Sequence, residues 1–153
     1  MAKAYFAGGC FWGIEDAYRK VAGVHDAISG YANGKVPNPT YEQVCTGATD
    51  HAETVEVDYD PAVVSYEQLV QTFWRLHDPT QWMRQGPDFG TQYRSAIFTQ
   101  TPEEDAAAKA SAAALEASGT LPNKVVTLIE PLNQFYAAED YHQRYFEKRG
   151  RSH

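Results

Sequence analysis

Two glycines near the start of the chain separate a short apolar run from an amphipathic one. Lys3 to Ala7 has the composition of a first strand, and Gly8-Gly9 interrupts it. After the glycines, apolar side chains recur at helical spacing, at Phe11, Ile14, Tyr18 and Val21. The pattern predicts a strand, a tight turn that glycine permits, and a helix that starts near Cys10.

The remaining sequence alternates between strand and helix signals. Strands are predicted at 24–31, 51–59, 93–99 and 125–129, and helices at 41–45, 66–78, 102–118 and 138–148. Thr40, Ser65 and Thr101 supply the capping residues of the first three helices. Residues 78–92 have no clear period, and an irregular segment of that length is usually functional or mobile. The interleaved elements predict one α/β or α+β domain over residues 1–153, with helices packed on a mixed sheet.

Composition narrows the class of protein. The formal net charge is −7, so the basic footprint of a nucleic-acid-binding protein is absent. No apolar run approaches the ~20 residues that a membrane span needs. The two cysteines, Cys10 and Cys45, do not make a secreted disulfide scaffold. We therefore expect a cytoplasmic monomer in which both thiols are reduced at rest.

Cys10 is the residue that most strongly suggests chemistry. It precedes a predicted helix whose N-terminal amide groups and dipole favour a negative charge. This setting predicts a lowered thiol pKa and a nucleophilic thiolate. The alternative is a small buried apolar residue, and position alone does not separate the two.

Glu53 is the second candidate because of its phase on the predicted strand. It alternates in register with Val55, Val57 and Tyr59, so its side chain is expected on the core side. Burial would raise its pKa towards neutrality and make it a usable general acid. The alternatives are a buried salt bridge and a solvated strand end. A thiol beside a protonated carboxylic acid suits attack on an electrophilic sulfur or carbon while an oxygen is protonated.

Gly8-Gly9-Cys10-Phe11-Trp12-Gly13 resembles the active-site signature of the peptide methionine sulfoxide reductases of the A class. Further stretches similar to that family follow in order along nearly the whole chain: YANG at 31–34, PTY to HAE at 39–53, HDPT at 77–80, DFGTQYRS at 88–95 and EDYHQ at 139–143. Enzymes of this kind each repair one sulfoxide epimer. The resemblance implies a mixed sheet flanked by helices, of the ferredoxin-like α+β kind.

The resemblance also implies a role for each matching polar residue. Cys10 would attack the sulfur of a methionine S-sulfoxide, and Glu53 would protonate its oxygen. Tyr41 and Tyr93 would donate hydrogen bonds to that oxygen, while Asp88 would organise the polar side of the pocket. We expect a sulfenic acid to form on Cys10 and to be reduced by thioredoxin, glutaredoxin or a small thiol.

Phe11 and Trp12 would form an aromatic seat for the substrate methyl group. A sulfoxide has a polar oxygen and an apolar S-methyl group, so its site needs donors on one side and rings on the other. Phe11 also lies on the core stripe of its helix, which favours packing as its alternative role. Trp12 falls one residue off that stripe, which favours exposure.

Two departures from the family pattern bear on the site. Asp50 precedes His51-Ala52-Glu53, where the family usually has glycine. Family members also commonly carry recycling cysteines in a C-terminal tail, and this sequence has none after Cys45. Cys45 shares a helical face with Tyr41, four residues earlier, and is a possible resolving residue. We favour a small buried core residue at this position instead.

Other functions stay open on the residues alone. A cysteine-based peroxide reductase or redox sensor would share the thiol without needing the paired tyrosines and Trp12. A peptide-binding module would leave Cys10 inert. A metal site is less favoured because the histidines and cysteines lack close ligand spacing. No cofactor is expected, since Gly8-Gly9 lacks the rest of either phosphate-binding pattern.

Overall fold

Six strands form one mixed sheet in the computed structural model, which describes residues 2–148. They are β1 (Ala2–Gly8), β2 (Val24–Ala32), β3 (Ala52–Tyr59), β6 (Ser95–Thr99), β7 (Leu128–Pro131) and β8 (Phe135–Ala137); β4 (Arg84–Gln85) and β5 (Asp88–Phe89) form a separate hairpin. The strand order of the large sheet is β7-β6-β1-β3-β2-β8. β6 and β7 run parallel, whereas the other neighbouring pairs are antiparallel.

Helices connect and cover these strands: α1 (Phe11–Arg19), α2 (Tyr41–Cys45), α3 (Tyr66–Leu76), α4 (Pro102–Ala117) and α5 (Tyr145–Lys148). α1 links β1 to β2, and α3 follows β3 and leads through the hairpin to β6. This is the α+β domain with a mixed sheet and flanking helices that the sequence predicts. The finer ferredoxin-like label stays a prediction.

The predicted helix caps are confirmed. Thr40 and Ser65 each accept a hydrogen bond from a backbone N–H three residues on, and the glutamine at that position completes a capping box. Thr101 likewise accepts from the backbone N–H of Glu104, with Pro102 at the first helical position, but the predicted capping box is incomplete because the Glu104 carboxylate accepts from the backbone N–H of Gln100. Local sequence therefore sets where these three helices begin.

The core lies between the sheet and helices α1 and α3. Phe6 on β1 pairs in register with Val55 on β3 and Ile97 on β6, and these three side chains are fully buried. The ring of Phe6 packs against Tyr18 of α1 and Phe73 of α3, with centroids 5.0 and 5.2 Å away. The opposite face buries a second apolar cluster, so the central strands are covered on both sides. Such a sheet is a rigid support for residues at its edges and ends.

The predicted helix at 138–148 is wrong. β8 precedes this segment, which holds a 3₁₀ turn at Asp140–His142 and the short α5. Arg144 has φ 53°, in the left-handed region that a helix cannot continue through. Its backbone N–H donates to the buried carboxylate of Glu15 on α1 at 2.8 Å. Gln143 exchanges hydrogen bonds with the backbone of Ser29 on β2. Long-range contacts thus override any local helix preference.

Residues 78–92 are not the irregular loop that the sequence predicts. They contain the β4–β5 hairpin and the start of a 3₁₀ turn, Thr91–Tyr93. Strand β6 begins after this turn, at Ser95 rather than Tyr93, and β7 begins at Leu128 rather than at residue 125. The two strands of the hairpin have only two residues each, too few to show a strand period.

Within residues 2–148, the longest apolar stretch of any helix falls short of what crossing a membrane would require.

Candidate active site

Cys10 occupies the N-cap position of α1, directly after the glycine pair, and its side chain makes no capping hydrogen bond. Gly9 has φ +96°, and a Cβ there would lie 2.8 Å from side-chain carbons of Gln85. A Cβ on Gly8 would lie 3.0 Å from Phe73 and 3.1 Å from the ring of His77. Only glycine therefore lets the turn pack this closely against α3 and the hairpin. The result is a half-buried thiol at the first turn of a helix.

The pKa of Cys10 moves opposite to the expected direction. Burial raises the pKa of its thiol to about 12, and the neighbouring carboxylates of Glu53 and Asp88 add to the rise. A hydrogen bond from the backbone N–H of Trp12 opposes the shift. The prediction of a lowered pKa is wrong because desolvation of the thiolate outweighs the favourable helix N-terminus. In the free protein the thiol is protonated at neutral pH.

Glu53 lies where the strand phase predicts, on the helix-covered face of β3. Its side chain is 1% exposed, and Oε1 accepts a hydrogen bond from the backbone N–H of Phe11 at 3.2 Å. Oε2 is buried and has no hydrogen-bond partner among the described residues. Burial raises the pKa of Glu53 to about 8, against the smaller lowering effect of the Phe11 amide. The group is therefore largely a protonated acid at pH 7, with one oxygen free to serve a ligand.

Asp88 and Tyr93 reach the same site from the hairpin and the 3₁₀ turn after it. Asp88 raises the pKa of Cys10, Glu53 and Tyr93 through its charge. Burial raises the pKa of Tyr93 further, so its hydroxyl stays a hydrogen-bond donor at neutral pH. The charges on Glu53, Cys45 and Cys10 also act on Tyr93, which places all these groups in one cluster.

The 3₁₀ turn that carries Tyr93 is held by its two neighbours. Gln92 donates to the backbone carbonyl of Cys45 at 3.2 Å, and Arg94 donates to that of Asp50 at 3.0 Å. Asp50 itself has φ 59°, a conformation that glycine adopts without strain. This explains the family preference for glycine there, and aspartate is among the residues that tolerate the conformation best. Sequence reasoning missed both anchors, although they stand in the stretch that matches the family.

Tyr41 and Cys45 lie on one face of α2, as predicted. Burial and, after it, the neighbouring Cys45 side chain raise the pKa of Tyr41, so its hydroxyl stays protonated at neutral pH. Cys45 is exposed, not a buried core residue, because α2 is short and only Val44 among its residues is buried. An ionised Cys45 would raise the pKa of Cys10, after the larger effects of burial, Glu53 and Asp88.

Phe11 and Trp12, which the sequence predicts to form one aromatic seat, differ in burial. Phe11 is 1% exposed and packs on Tyr31 and His142, with centroids 5.7 and 5.2 Å away. Trp12 is only partly buried and stacks on Tyr145 at 3.7 Å, with the ring planes 5° apart. Phe11 is therefore a core residue, whereas the seat that the sequence predicts for the substrate methyl group stays a prediction for Trp12.

Sequence reasoning assigned no role to His142. The ring is buried, lies 4.2 Å from that of Tyr41, and accepts a hydrogen bond at Nδ1 from Trp12 Nε1 at 2.9 Å. Since Nδ1 is an acceptor, the neutral ring carries its proton on Nε2, which is buried and has no partner among residues 2–148. Burial lowers the pKa of His142, which keeps the ring neutral. His142 thus fixes the Trp12 indole against the tyrosine side of the site.

Glu139 is a second residue that the sequence did not single out. One carboxylate oxygen accepts from the Tyr31 hydroxyl at 2.8 Å, and the other accepts from the backbone N–H of Tyr41 at 2.9 Å. These hydrogen bonds hold the pKa of Glu139 below its usual range. The first turn of α2, and with it Tyr41, is thereby tied to the C-terminal segment. Among the described residues, no three histidine, cysteine, aspartate or glutamate side chains group as metal ligands would.

Known proteins are similar to this chain in both sequence and fold. The family model described as peptide methionine sulfoxide reductase matches residues 2–153. The peptide methionine sulfoxide reductase MsrA of Methanoculleus marisnigri is 55% identical over 150 residues, which cover 98% of this chain and 92% of that protein.

Solved structures of one yeast protein agree with this match. Mxr1 from Saccharomyces cerevisiae in its reduced form superposes with a TM-score of 0.91 at 39% identity, covering 99% of this chain and 87% of that one. Mxr1 in complex with Trx2 has a TM-score of 0.67 at 30% identity, covering 94% and 84%. The chain belongs to the peptide methionine sulfoxide reductase family, the enzymes that reduce methionine sulfoxide with a thiol.

Proposed function

We propose that this enzyme reduces methionine S-sulfoxide, free or within proteins, with Cys10 as nucleophile and Glu53 as general acid. The observation that carries the assignment is the buried Glu53 carboxyl beside the Cys10 thiol. Its pKa of about 8 keeps it protonated at neutral pH, and its Oε2 has no partner within the described part of the chain. A sulfoxide oxygen would supply that partner.

The reaction transfers one oxygen atom and two electrons. When Cys10 and Glu53 have together lost one proton, the Cys10 thiolate attacks the sulfoxide sulfur and forms an S–S bond as Glu53 gives its proton to the sulfoxide oxygen. The hydroxyl group then moves from the substrate sulfur to the Cys10 sulfur, which breaks the substrate S–O bond and the S–S bond, and Glu53 takes up a proton from solvent. Methionine leaves as the reduced thioether, and Cys10 is left oxidised as a sulfenic acid. Cys–SH and methionine sulfoxide thus become Cys–SOH and methionine.

The surrounding groups suit the two ends of the substrate head group. The hydroxyls of Tyr41 and Tyr93 would donate to the sulfoxide oxygen, and Asp88 would help to keep Glu53 protonated. The Trp12 ring, backed by Phe11, would receive the S-methyl group. Because donors and rings occupy fixed sides, the mirror epimer would direct its oxygen at the rings and be rejected.

An external thiol would regenerate Cys10. Two thiols would reduce the sulfenic acid to the Cys10 thiol and water and would leave as a disulfide. The relative Mxr1 was solved with Trx2, which favours a thioredoxin-type reductant here, with glutaredoxin or a small thiol as the other sources. Such reductants are abundant in the cytoplasm, where we propose that the enzyme works.

The test is turnover of a methionine sulfoxide peptide, resolved by epimer, with dithiothreitol as reductant. We expect turnover of the S epimer only, and loss of all turnover in Cys10→Ser with the fold intact by circular dichroism. Cys45→Ser is the matched control and should keep its rate. Equal rates on both epimers, faster reduction of hydrogen peroxide, or an active Cys10→Ser variant would each contradict the proposal.

A further inference from the structure

A cavity of about 220 Å³ opens beside Cys10, and neither Tyr41 nor Tyr93 lines it. Cys10 forms part of its wall, which also includes Ile14, Leu76, Gln85, Asp88 and Phe146. Neither Glu53 nor Trp12 lines it. The cavity therefore adjoins the proposed reaction site at Cys10 and Asp88 and extends beyond it to side chains that the reaction itself does not use.

The cavity beside Cys10 is apolar on most of its wall. Ile14 is 4% exposed, and the half-buried side chains of Leu76 and Phe146 face it from α3 and α5. The Gln85 amide is engaged by the backbone of Asp78, which donates to it at 2.8 Å and accepts from it at 3.0 Å. Asp88 contributes the one formal charge among the residues that line the cavity. An apolar group would be favoured here and an anion disfavoured.

The size of the cavity points to a single side chain. Pockets for complete small-molecule ligands usually measure roughly 300–1,000 Å³. Neighbouring residues of a polypeptide have Cα atoms about 3.8 Å apart, so a residue next to the reacting methionine passes close to Cys10. Because Cys10 lines the cavity, the cavity adjoins the reaction site and lies within reach of such a neighbour.

We propose that this cavity is a subsite for an apolar side chain adjacent to the methionine sulfoxide in a polypeptide substrate. The proposal rests on the proposed function, since it needs the sulfoxide to react at Cys10. The subsite selects leucine-like or aromatic neighbours and disfavours aspartate and glutamate. Free methionine sulfoxide has no side chain to place there and gains nothing from it.

The first experiment measures kcat/KM for two peptide series that carry the S-sulfoxide: acetyl-Xaa-Met(O)-Ala-amide and acetyl-Ala-Met(O)-Xaa-amide. Xaa is leucine, alanine, lysine or aspartate, and acetyl-methionine sulfoxide is the reference. Burial of even about half of the three extra carbons of leucine over alanine should raise kcat/KM at least about tenfold in one series, mainly through KM. The kcat/KM of the aspartate peptide should fall below that of both the alanine and the lysine peptide. Equal values for all four residues in both series would overturn the subsite.

The second experiment changes the cavity. Leu76→Trp fills it and should remove the preference for leucine while leaving kcat/KM for acetyl-methionine sulfoxide within about twofold of wild type. Val63→Trp, at a site 60% exposed and outside the cavity, is the matched control and should keep the preference. Phe146→Ala enlarges the cavity and should shift the preference from leucine towards tryptophan, which tests the idea even if Leu76→Trp folds poorly.

The outcomes separate the subsite from the proposed function. If Leu76→Trp and Phe146→Ala lower turnover of acetyl-methionine sulfoxide as much as that of the leucine peptide, the cavity belongs to the reaction site and the subsite proposal is wrong. If the wild-type enzyme reduces none of these sulfoxides, the proposed function has failed instead. Thermal unfolding of each variant distinguishes loss of binding from loss of fold.

Discussion

At the residue scale, Cys10 and Glu53 are best treated as one coupled acid–base pair. Both groups hold their protons at neutral pH, because burial raises the pKa of the thiol to about 12 and that of the carboxyl to about 8. The reactive combination, a thiolate beside a protonated acid, carries one proton fewer than this resting state. It has the same proton count as a thiol beside a carboxylate, so loss of one proton from the pair is what activates it.

This coupling predicts the pH profile of the enzyme. For the wild type, kcat/KM on an S-sulfoxide peptide should rise with pH, by up to about tenfold per unit, and level off near pH 8, where the pair has lost one proton. Glu53→Gln keeps the shape and the acceptor for the Phe11 amide but cannot transfer a proton. Its kcat/KM should fall by about 10²–10⁴-fold, and the inflection near pH 8 should vanish. Steady-state rates between pH 5 and 9.5 test both statements.

The control is Glu56→Gln. Glu56 is also a buried glutamate of β3, but it faces the other side of the sheet and accepts from Tyr5 at 2.8 Å. It should keep the wild-type profile. Wild-type activity in Glu53→Gln would mean that Glu53 is structural only.

The same carboxyl predicts a dependence of stability on pH. The folded-state pKa of about 8 is above the ordinary glutamate value of 4.5, so folding favours the protonated form. Its contribution is fully present below pH 4.5 and is lost as pH rises towards 8, by up to about 1.4 kcal/mol per pH unit. The Tm of Glu53→Gln relative to the wild-type Tm should therefore increase as the pH rises from 5 to 8. A constant difference in Tm over this range would show that Glu53 is not buried as a neutral acid.

At the scale of elements, the turn between β1 and α1 determines where the nucleophile lies. Gly9 combines a positive φ with close contact to Gln85, whose amide is itself clamped by the backbone of Asp78. The hairpin, the end of α3 and the start of α1 are thus packed against one another through a position that has no side chain. A methyl group there must displace one of them.

Gly9→Ala should for this reason cost more than backbone strain alone. Alanine at a positive φ costs about 1–2 kcal/mol, and the clash with Gln85 adds to it. Gly119→Ala is the matched control, because Gly119 also has a positive φ, +72°, but nothing lies within 4 Å of the added carbon. We expect the larger loss of Tm and a strong loss of turnover in Gly9→Ala only. Equal Tm losses in the two variants would remove the packing argument.

At the scale of the whole molecule, the sheet brings together parts of the chain that are far apart in sequence. Cys10 comes from the β1–α1 turn, Glu53 from the start of β3, Tyr93 from the turn before β6 and Tyr41 from α2. The C-terminal segment closes the site through His142 and Glu139, which hold Trp12 and Tyr41. The regeneration of Cys10 depends on this assembly, since it decides which thiol can reach the oxidised sulfur.

We predict that Cys45 is not required for that regeneration. After one turnover without reductant, mass spectrometry should show a Cys10 sulfenic acid that dimedone traps, and Cys45→Ser should keep the steady-state rate with thioredoxin. Cys45 is exposed, and its side chain neighbours Tyr41, a residue assigned to the substrate. A quantitative Cys10–Cys45 disulfide, with a slowed Cys45→Ser variant, would show that Cys45 resolves the intermediate instead.

By itself, the sequence predicted the family, the reaction of that family and the start of most elements. Helical spacing after Gly8-Gly9 placed α1, capping residues placed α2, α3 and α4, and strand alternation put Glu53 on the core face. These features are local, because a cap or a period depends on residues within one or two turns.

Only the tertiary structure decided the features that depend on distant contacts. The raised pKa of Cys10, the core position of Phe11, the exposure of Cys45 and the clamp of His142 on Trp12 each follow from what packs against that residue. The segment at 138–148 is the largest case: Glu15 and Ser29, on α1 and β2, bond the backbone of Arg144 and the side chain of Gln143. Desolvation and long-range hydrogen bonding have no local period, so a reading of the sequence alone cannot detect them.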